Sequence, residues 1–449
     1  MKEKKLGVFD VLMLLLTGLL FCDAVAPNTS AGVPNLTWWI ITGTLYMIPT
    51  GLIIGELSSV YPDEGGIYVW IREGLGAKTA AWTSWLFFCC GLFIPVSMFI
   101  LCSDILFTMF LPSAGYAVRV AAAIVLIWVM AGISCLPMSE AKWITNVAGI
   151  IKLLFFVCAL IAGIVYLAKG NPIANEINAS TLRPTFSQGL TFLPVILYSC
   201  TGMELASASA QEMRNPGKNL PRVIVAAAVM AVFLNLIADT GMLMVIPVDS
   251  INLDLGMIDL FSIAFDSPAV TTIVSLAFIF VGLVQSVTWQ IGGNRGTCES
   301  AKIGDLPAVF GKENAAGQPI GAILISSALA TAFVILYAFI GNSAPDLFFS
   351  LMNCGVLATV VPYVLMLASY QKLKRAGKLE GAGFRVPGGL VFSWISQIIQ
   401  VFALLLMIYI PTVGWNENVI TNVLGLAFMT ISALILYRHM HRGPAPAQN

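Results

Sequence analysis

Thr191 to Arg222, TFLPVILYSCTGMELASASAQEMRNPGKNLPR, is the stretch that decides the fold. It begins as an apolar helix, meets Ser199, Thr201, Gly202 and Glu204, and leaves the apolar region through Arg214, Pro216, Lys218, Pro221 and Arg222. Hydrocarbon does not normally hold a glycine flanked by hydroxyls and an acid. Helices interrupted at mid-depth mark secondary transporters, because a broken helix turns unpaired carbonyls and N–H groups toward a ligand. This stretch is therefore expected to form half of a substrate site, with the other half in an earlier helix.

The rest of the chain fits that setting. Of 449 residues, 58% are hydrophobic and 10% charged, and the mean hydropathy is +0.89. A soluble chain carries about 25% charged residues, so most of this one must face lipid or other apolar helices. Balanced charge, 23 basic against 23 acidic residues, gives no reason to expect a nucleic-acid partner. None of the nine cysteines stands in a CxxC spacing, which leaves them as small core residues. The only histidines are His439 and His441, and no GxSxG, HExxH or phosphate-binding loop occurs, so neither a metal nor another cofactor nor an enzyme activity is expected.

On the measure of roughly 20 apolar residues per span, the chain divides into twelve transmembrane helices: 8–32, 37–60, 80–111, 117–137, 143–168, 187–210, 221–246, 267–292, 318–341, 346–370, 389–410 and 417–437. With the N-terminus inside, Arg119, Lys169 and Arg183 lie outside, Lys152 lies in the membrane, and every other basic residue falls on the inner side. This positive-inside bias predicts an inner-membrane protein of bacterial type with both termini cytoplasmic. The first span holds a second interruption, where VLMLLLTGLLF meets Cys22, Asp23 and Ala24 and then Pro27. The two breaks each open a set of five spans. Five spans per set reverse the second, so spans 1–5 and 6–10 are expected to be inverted repeats. Residues 1–375 would form that core, and 376–449 the last two helices and a cytoplasmic tail.

Three segments carry a family resemblance. GELSSVYPDEGGIYVWIREGLG, residues 55–76, places Glu56, Leu57, Pro62, Gly65, Gly66 and Tyr68 as the amino acid, polyamine and organocation (APC) permeases do after their second helix. GMELASASAQEMRNPGKNLPR (202–222) resembles that family's sixth helix and following loop, and ESAKIGDLPAVFGKENAAGQP (299–319) its loop between helices 8 and 9. The resemblance implies a LeuT-like five-plus-five inverted repeat with helices 1 and 6 broken, two additional helices, and alternating-access transport of amino acids or amines. By position it implies a substrate site at Cys22, Asp23, Ala24, Tyr198, Ser199, Cys200, Thr201, Gly202 and Glu204. Tyr198 falls where related exchangers place an aromatic gate, and Trp289 where arginine/agmatine exchangers pack an aromatic on the substrate. Lys152 falls in the helix where proton-coupled members keep a lysine in place of a bound ion.

One departure bears on the substrate. The family usually has Gly-x-Gly in the first break, and this chain has Cys-Asp-Ala. A carboxylate there repels a substrate carboxylate and attracts an ammonium group, which favours an amine, diamine or cationic amino acid. Asp23 is thus expected to bind the amine, or else to cap a half-helix. Lys152 and Glu204 are expected to change protonation during coupling, or else to snorkel and to bond freed backbone respectively. Asp104 and Asp239 are intramembrane acids without a motif, and Trp38 and Trp39 read as interface anchors. The function expected is proton-coupled transport. Exchange of an amino acid for its decarboxylated amine is the alternative, and a channel or a substrate sensor with a transporter fold is the rival from another class. The partners expected are the solute, protons and the lipid bilayer.

Overall fold

The computed structural model describes residues 6–184, 193, 195–340, 344–408 and 417–441, and these form helices joined by turns and loops, with no strand among them. The first span is two helices, α1 (Val8–Leu19) and α2 (Cys22–Thr29), bent by 44° at the gap. Then follow α3 (Pro34–Val60), the short α4 (Ile67–Leu75), α5 (Ala77–Phe110), α6 (Tyr116–Ser134) and α7 (Met138–Ala168). The second half holds a 3-10 segment (Met203–Ser209), α8 (Pro216–Val245), α9 (Gly256–Phe265), α10 (Pro268–Lys302), α11 (Ile320–Ile340), α12 (Ala344–Arg375), α13 (Gly389–Ile408) and α14 (Glu417–Met440). Proline opens α3, α8 and α10, where its missing N–H costs nothing.

Among the described residues nine helices are long and apolar enough to cross a membrane, or ten if the bent pair is one span. The expected sixth span lies partly outside the described residues. α5 is buried along its whole apolar stretch and forms the central post, whereas α14 is buried over only 11% of its own. α5 packs along α10 and α3 along α8. These pairs join the third expected span to the eighth and the second to the seventh, the partners that two repeats of five would match.

The start of α3 departs from one expectation. Trp39 is not an interface anchor: it is fully buried, and its indole N–H donates to Asp239 at 2.8 Å. Asp239 also accepts from Thr29 at 3.0 Å and Asn35 at 2.6 Å, so one buried carboxylate on α8 ties down α2 and the start of α3. The acid competes successfully for the ring because a buried carboxylate without donors is far more costly than a tryptophan away from the interface. Asp104 also finds a partner, an ion pair with Arg119 at 2.5 Å that bridges α5 and α6.

Candidate functional site

The first break falls at Leu20 and Phe21, both in extended conformation, two residues earlier than the Cys-Asp-Ala stretch that marks it in the sequence. Cys22, Asp23 and Ala24 therefore occupy the first turn of α2 and are not themselves unwound. Breaking a helix strips its last carbonyls of partners. Three of the carbonyls here have a side-chain donor from a distant span. Lys152 Nζ donates to Thr17 O at 2.6 Å and to Leu20 O at 2.5 Å, and Trp289 Nε1 donates to Gly18 O at 2.9 Å.

The third proton of Lys152 goes to Gln285 Oε1, and Gln285 Nε2 donates on to Asp23 Oδ1 at 3.3 Å. An ammonium group with three protons thus meets three acceptors. Lys152 is fully buried, about four turns into α7, and does not snorkel. Gln285 was not singled out in the sequence. The signal was present, an amide within the apolar run of α10, but its partners lie on α2 and α7, and no local pattern names them.

The second break is built differently. The helix ends at Tyr198, turns through Ser199 and Cys200, and resumes as the 3-10 segment after Gly202, whose φ of +108° favours glycine. Gly202 N–H donates to Tyr363 Oη at 2.9 Å, and that hydroxyl donates to Glu204. Tyr363, which follows Pro362 in α12, is a second residue that sequence reading missed. Thr201 turns its hydroxyl back onto Tyr198 O at 2.7 Å and holds the turn.

The two breaks meet. A Cβ at Gly18 would lie 2.8 Å from Leu205 Cδ1, and one at Gly202 would lie 3.1 Å from Trp289 Cζ2. Phe21 packs on Tyr198 with ring centroids 4.5 Å apart and on Trp289 at 5.8 Å. Asn28 Nδ2 joins α2 to Ser199 Oγ at 2.9 Å. All ten residues expected at the substrate site are buried: Cys22, Asp23, Ala24, Tyr198, Ser199, Cys200, Thr201, Gly202, Glu204 and Trp289. Three buried polar atoms around this junction, Asn28 Oδ1, Tyr198 Oη and Glu204 Oε1, have no hydrogen-bond partner. A buried polar atom without a partner calls for an explanation such as strain, a bound water or ion, or a polar ligand.

Two interrupted spans that meet at mid-depth, with buried acids and a buried cation beside them, define a membrane transporter of the broken-helix class. The family model described as amino acid permease matches residues 6–436, and the chain belongs to that family. It is 26% identical to the probable agmatine/putrescine antiporter AguD of Lactococcus lactis, over 98% of this chain and 96% of that protein. It is 23% identical to a glutamate/gamma-aminobutyrate antiporter of the same species, over 97% and 90%. A crystal structure of the Eremococcus coleocola manganese transporter shares the fold with a TM-score of 0.53 at 12% identity, covering 95% of each chain.

Proposed function

We propose that this protein is a secondary active transporter that exchanges amine-bearing solutes across the inner membrane by alternating access, with both termini cytoplasmic and no chemistry performed on the solute. The observation that carries this reading is Asp23, a buried carboxylate in the first turn of α2 beside the first break. There an acid is favoured by the positive end of the half-helix, and it attracts an ammonium group more than any other small-solute group. Relatives matched along nearly their whole length carry antiporter names, one of them for agmatine and putrescine, which supports exchange of a diamine-like pair.

In this reading the solute amine lies against Asp23 with its remaining polar groups toward Asn28, Tyr198 and Glu204. Phe21, Tyr198 and Trp289 shield it from either side. Lys152 acts as a fixed cation that locks the first break, because its three protons are already committed. A second reading keeps proton coupling through Glu204, favoured by its buried carboxylate having Tyr363 as its only side-chain donor among the described residues and one oxygen without a hydrogen bond among them.

Proteoliposomes preloaded with unlabelled putrescine should take up labelled agmatine several-fold faster than empty ones, and a proton ionophore should leave that ratio unchanged. Uptake into empty vesicles driven by an acidic exterior and abolished by the ionophore would favour the proton-coupled reading instead. Transport of neither amine under either regime would remove the substrate class.

A further inference from the structure

Away from the breaks, a groove of about 180 Å³ lies between α1, α6, α7 and α10. Its walls are Leu14, Met130, Ile133, Phe280, Val284 and Val287, and its polar end is Asp10 with Lys142 and Trp143. The flanking faces of α6 and α7 expose Val125, Val129, Ile150 and Leu154, so the groove opens where hydrocarbon would cover the protein.

Its dimensions fit one leaflet. From Ile291 to Phe280, both lining it, α10 descends eleven residues, roughly 16 Å at 1.5 Å per residue. That is about half of the ~30 Å hydrocarbon core. The polar end sits at the starts of α1 and α7, where the apolar runs of these helices begin. Lys142 pairs with Asp10 at 3.6 Å yet leaves its side chain 40% exposed, and Trp143 is 64% exposed beside it. An indole and a partly free ammonium group at the polar end of an apolar slot suit a phosphate ester with a hydrocarbon tail.

We propose that this groove is a specific site for one acyl chain of a membrane phospholipid, with the phosphate against Lys142 and Trp143. The proposal is independent of the transported solute. Leu14, one wall of the groove, lies one turn before Thr17, whose carbonyl Lys152 holds. A chain seated there braces α1 against α7 and favours the conformation in which the two breaks are closed together.

The test uses the full chain in vesicles containing phosphatidylglycerol with a diazirine in one acyl chain, with cross-linked peptides mapped after illumination. Cross-links are expected to concentrate on residues 280–291 and 130–136. Val284→Trp and, separately, Ile133→Trp fill the groove from opposite walls. Each should lower that labelling about fivefold or more while labelling of α13 stays unchanged, which also shows that the variant is folded and inserted. Lys142→Gln should lower labelling by phosphatidylglycerol more than labelling by a phosphatidylcholine probe. Labelling spread evenly over the exposed helices, or labelling unmoved by both tryptophan substitutions, would overturn the site. Labelling by both lipids left unchanged in Lys142→Gln would overturn the assigned phosphate position.

Discussion

Lys152 is the residue on which the first break depends, since it replaces two backbone donors that the broken helix has lost. In Lys152→Met, Thr17 O and Leu20 O lose those protons inside the bilayer. At about 1–3 kcal/mol for each orphaned buried acceptor, the variant should be destabilised by about 2–6 kcal/mol, seen as a clear drop in melting temperature in detergent. An unchanged melting temperature would mean that Lys152 does not hold the break. Gln285→Leu separates two roles. It removes the link from Lys152 to Asp23 but keeps both carbonyl bonds, so it should cost about 1–3 kcal/mol and weaken amine binding more than it slows turnover, read as a rise in KM at near-normal maximal rate. The identities of Lys152, Asp23 and Glu204 as buried ionisable groups were legible in the sequence, because a charge in an apolar run has few innocent explanations. Gln285 and Tyr363 were not, since an amide or a phenol in a span is unremarkable until its partner is known. The partner of Gln285 is 133 positions away and that of Tyr363 is 159.

At the scale of the element, the two breaks use glycine for different reasons, and substitution should tell them apart. Gly18 lies within α1, where its constraint is space: an added Cβ meets the flexible end of Leu205 at 2.8 Å. Gly202 is constrained by its backbone, with φ at +108°, a conformation costing other residues about 1–3 kcal/mol. Gly18→Ala should therefore destabilise by about 1–3 kcal/mol through overpacking, and Leu205→Ala should recover part of that loss in the double variant, a coupling visible in a thermal double-mutant cycle. Gly202→Ala should not be rescued by Leu205→Ala. Equal rescue of both would mean that crowding alone fixes Gly202. The break around Gly202 was legible because Gly202, Ser199 and Glu204 interrupt an apolar run. The first was read two residues late, because the residues that unwind, Leu20 and Phe21, are as apolar as the helix before them. Aspartate and proline drew attention to α2, whose first turn Asp23 occupies and whose interior holds Pro27. Trp39 was misread for a similar reason: at a span end its type suggests an interface, and only the folded position of Asp239 draws it inward.

For the whole molecule, alternating access requires that some contacts between the broken spans and their scaffold open while others travel together. Asp239 bonds α2 and α3 to α8, and Leu6 and Arg214 exchange backbone bonds with the segment joining the 3-10 helix to α8 and with the start of the chain. Those contacts join elements around the two breaks to one another, so they can move as one body. Arg295 of α10 is different. It is buried, pairs with Glu64 of the loop after α3 at 2.6 Å, and bonds Gly317 O at 3.0 Å and Gln318 at 2.9 Å. It fastens the loop after α3 to α10 beside a small pocket lined by Glu64, Gly66, Glu204 and Ser207, on the side expected to face the cytoplasm. Opening inward must separate these walls, and weakening the clasp by about 1.4 kcal/mol shifts the two-state ratio tenfold. Arg295→Gln should accordingly raise labelling of a Ser207→Cys reporter by a membrane-impermeant maleimide in inside-out vesicles, by about tenfold over the same reporter with Arg295 intact. Asp239→Asn should lower the melting temperature without changing that labelling, because it loosens contacts within the moving body and leaves the clasp alone. If Arg295→Gln left the reporter as protected as before while still folding, the clasp would not govern inward access, and the closed junction of the two breaks around Trp289 would have to supply the barrier by itself.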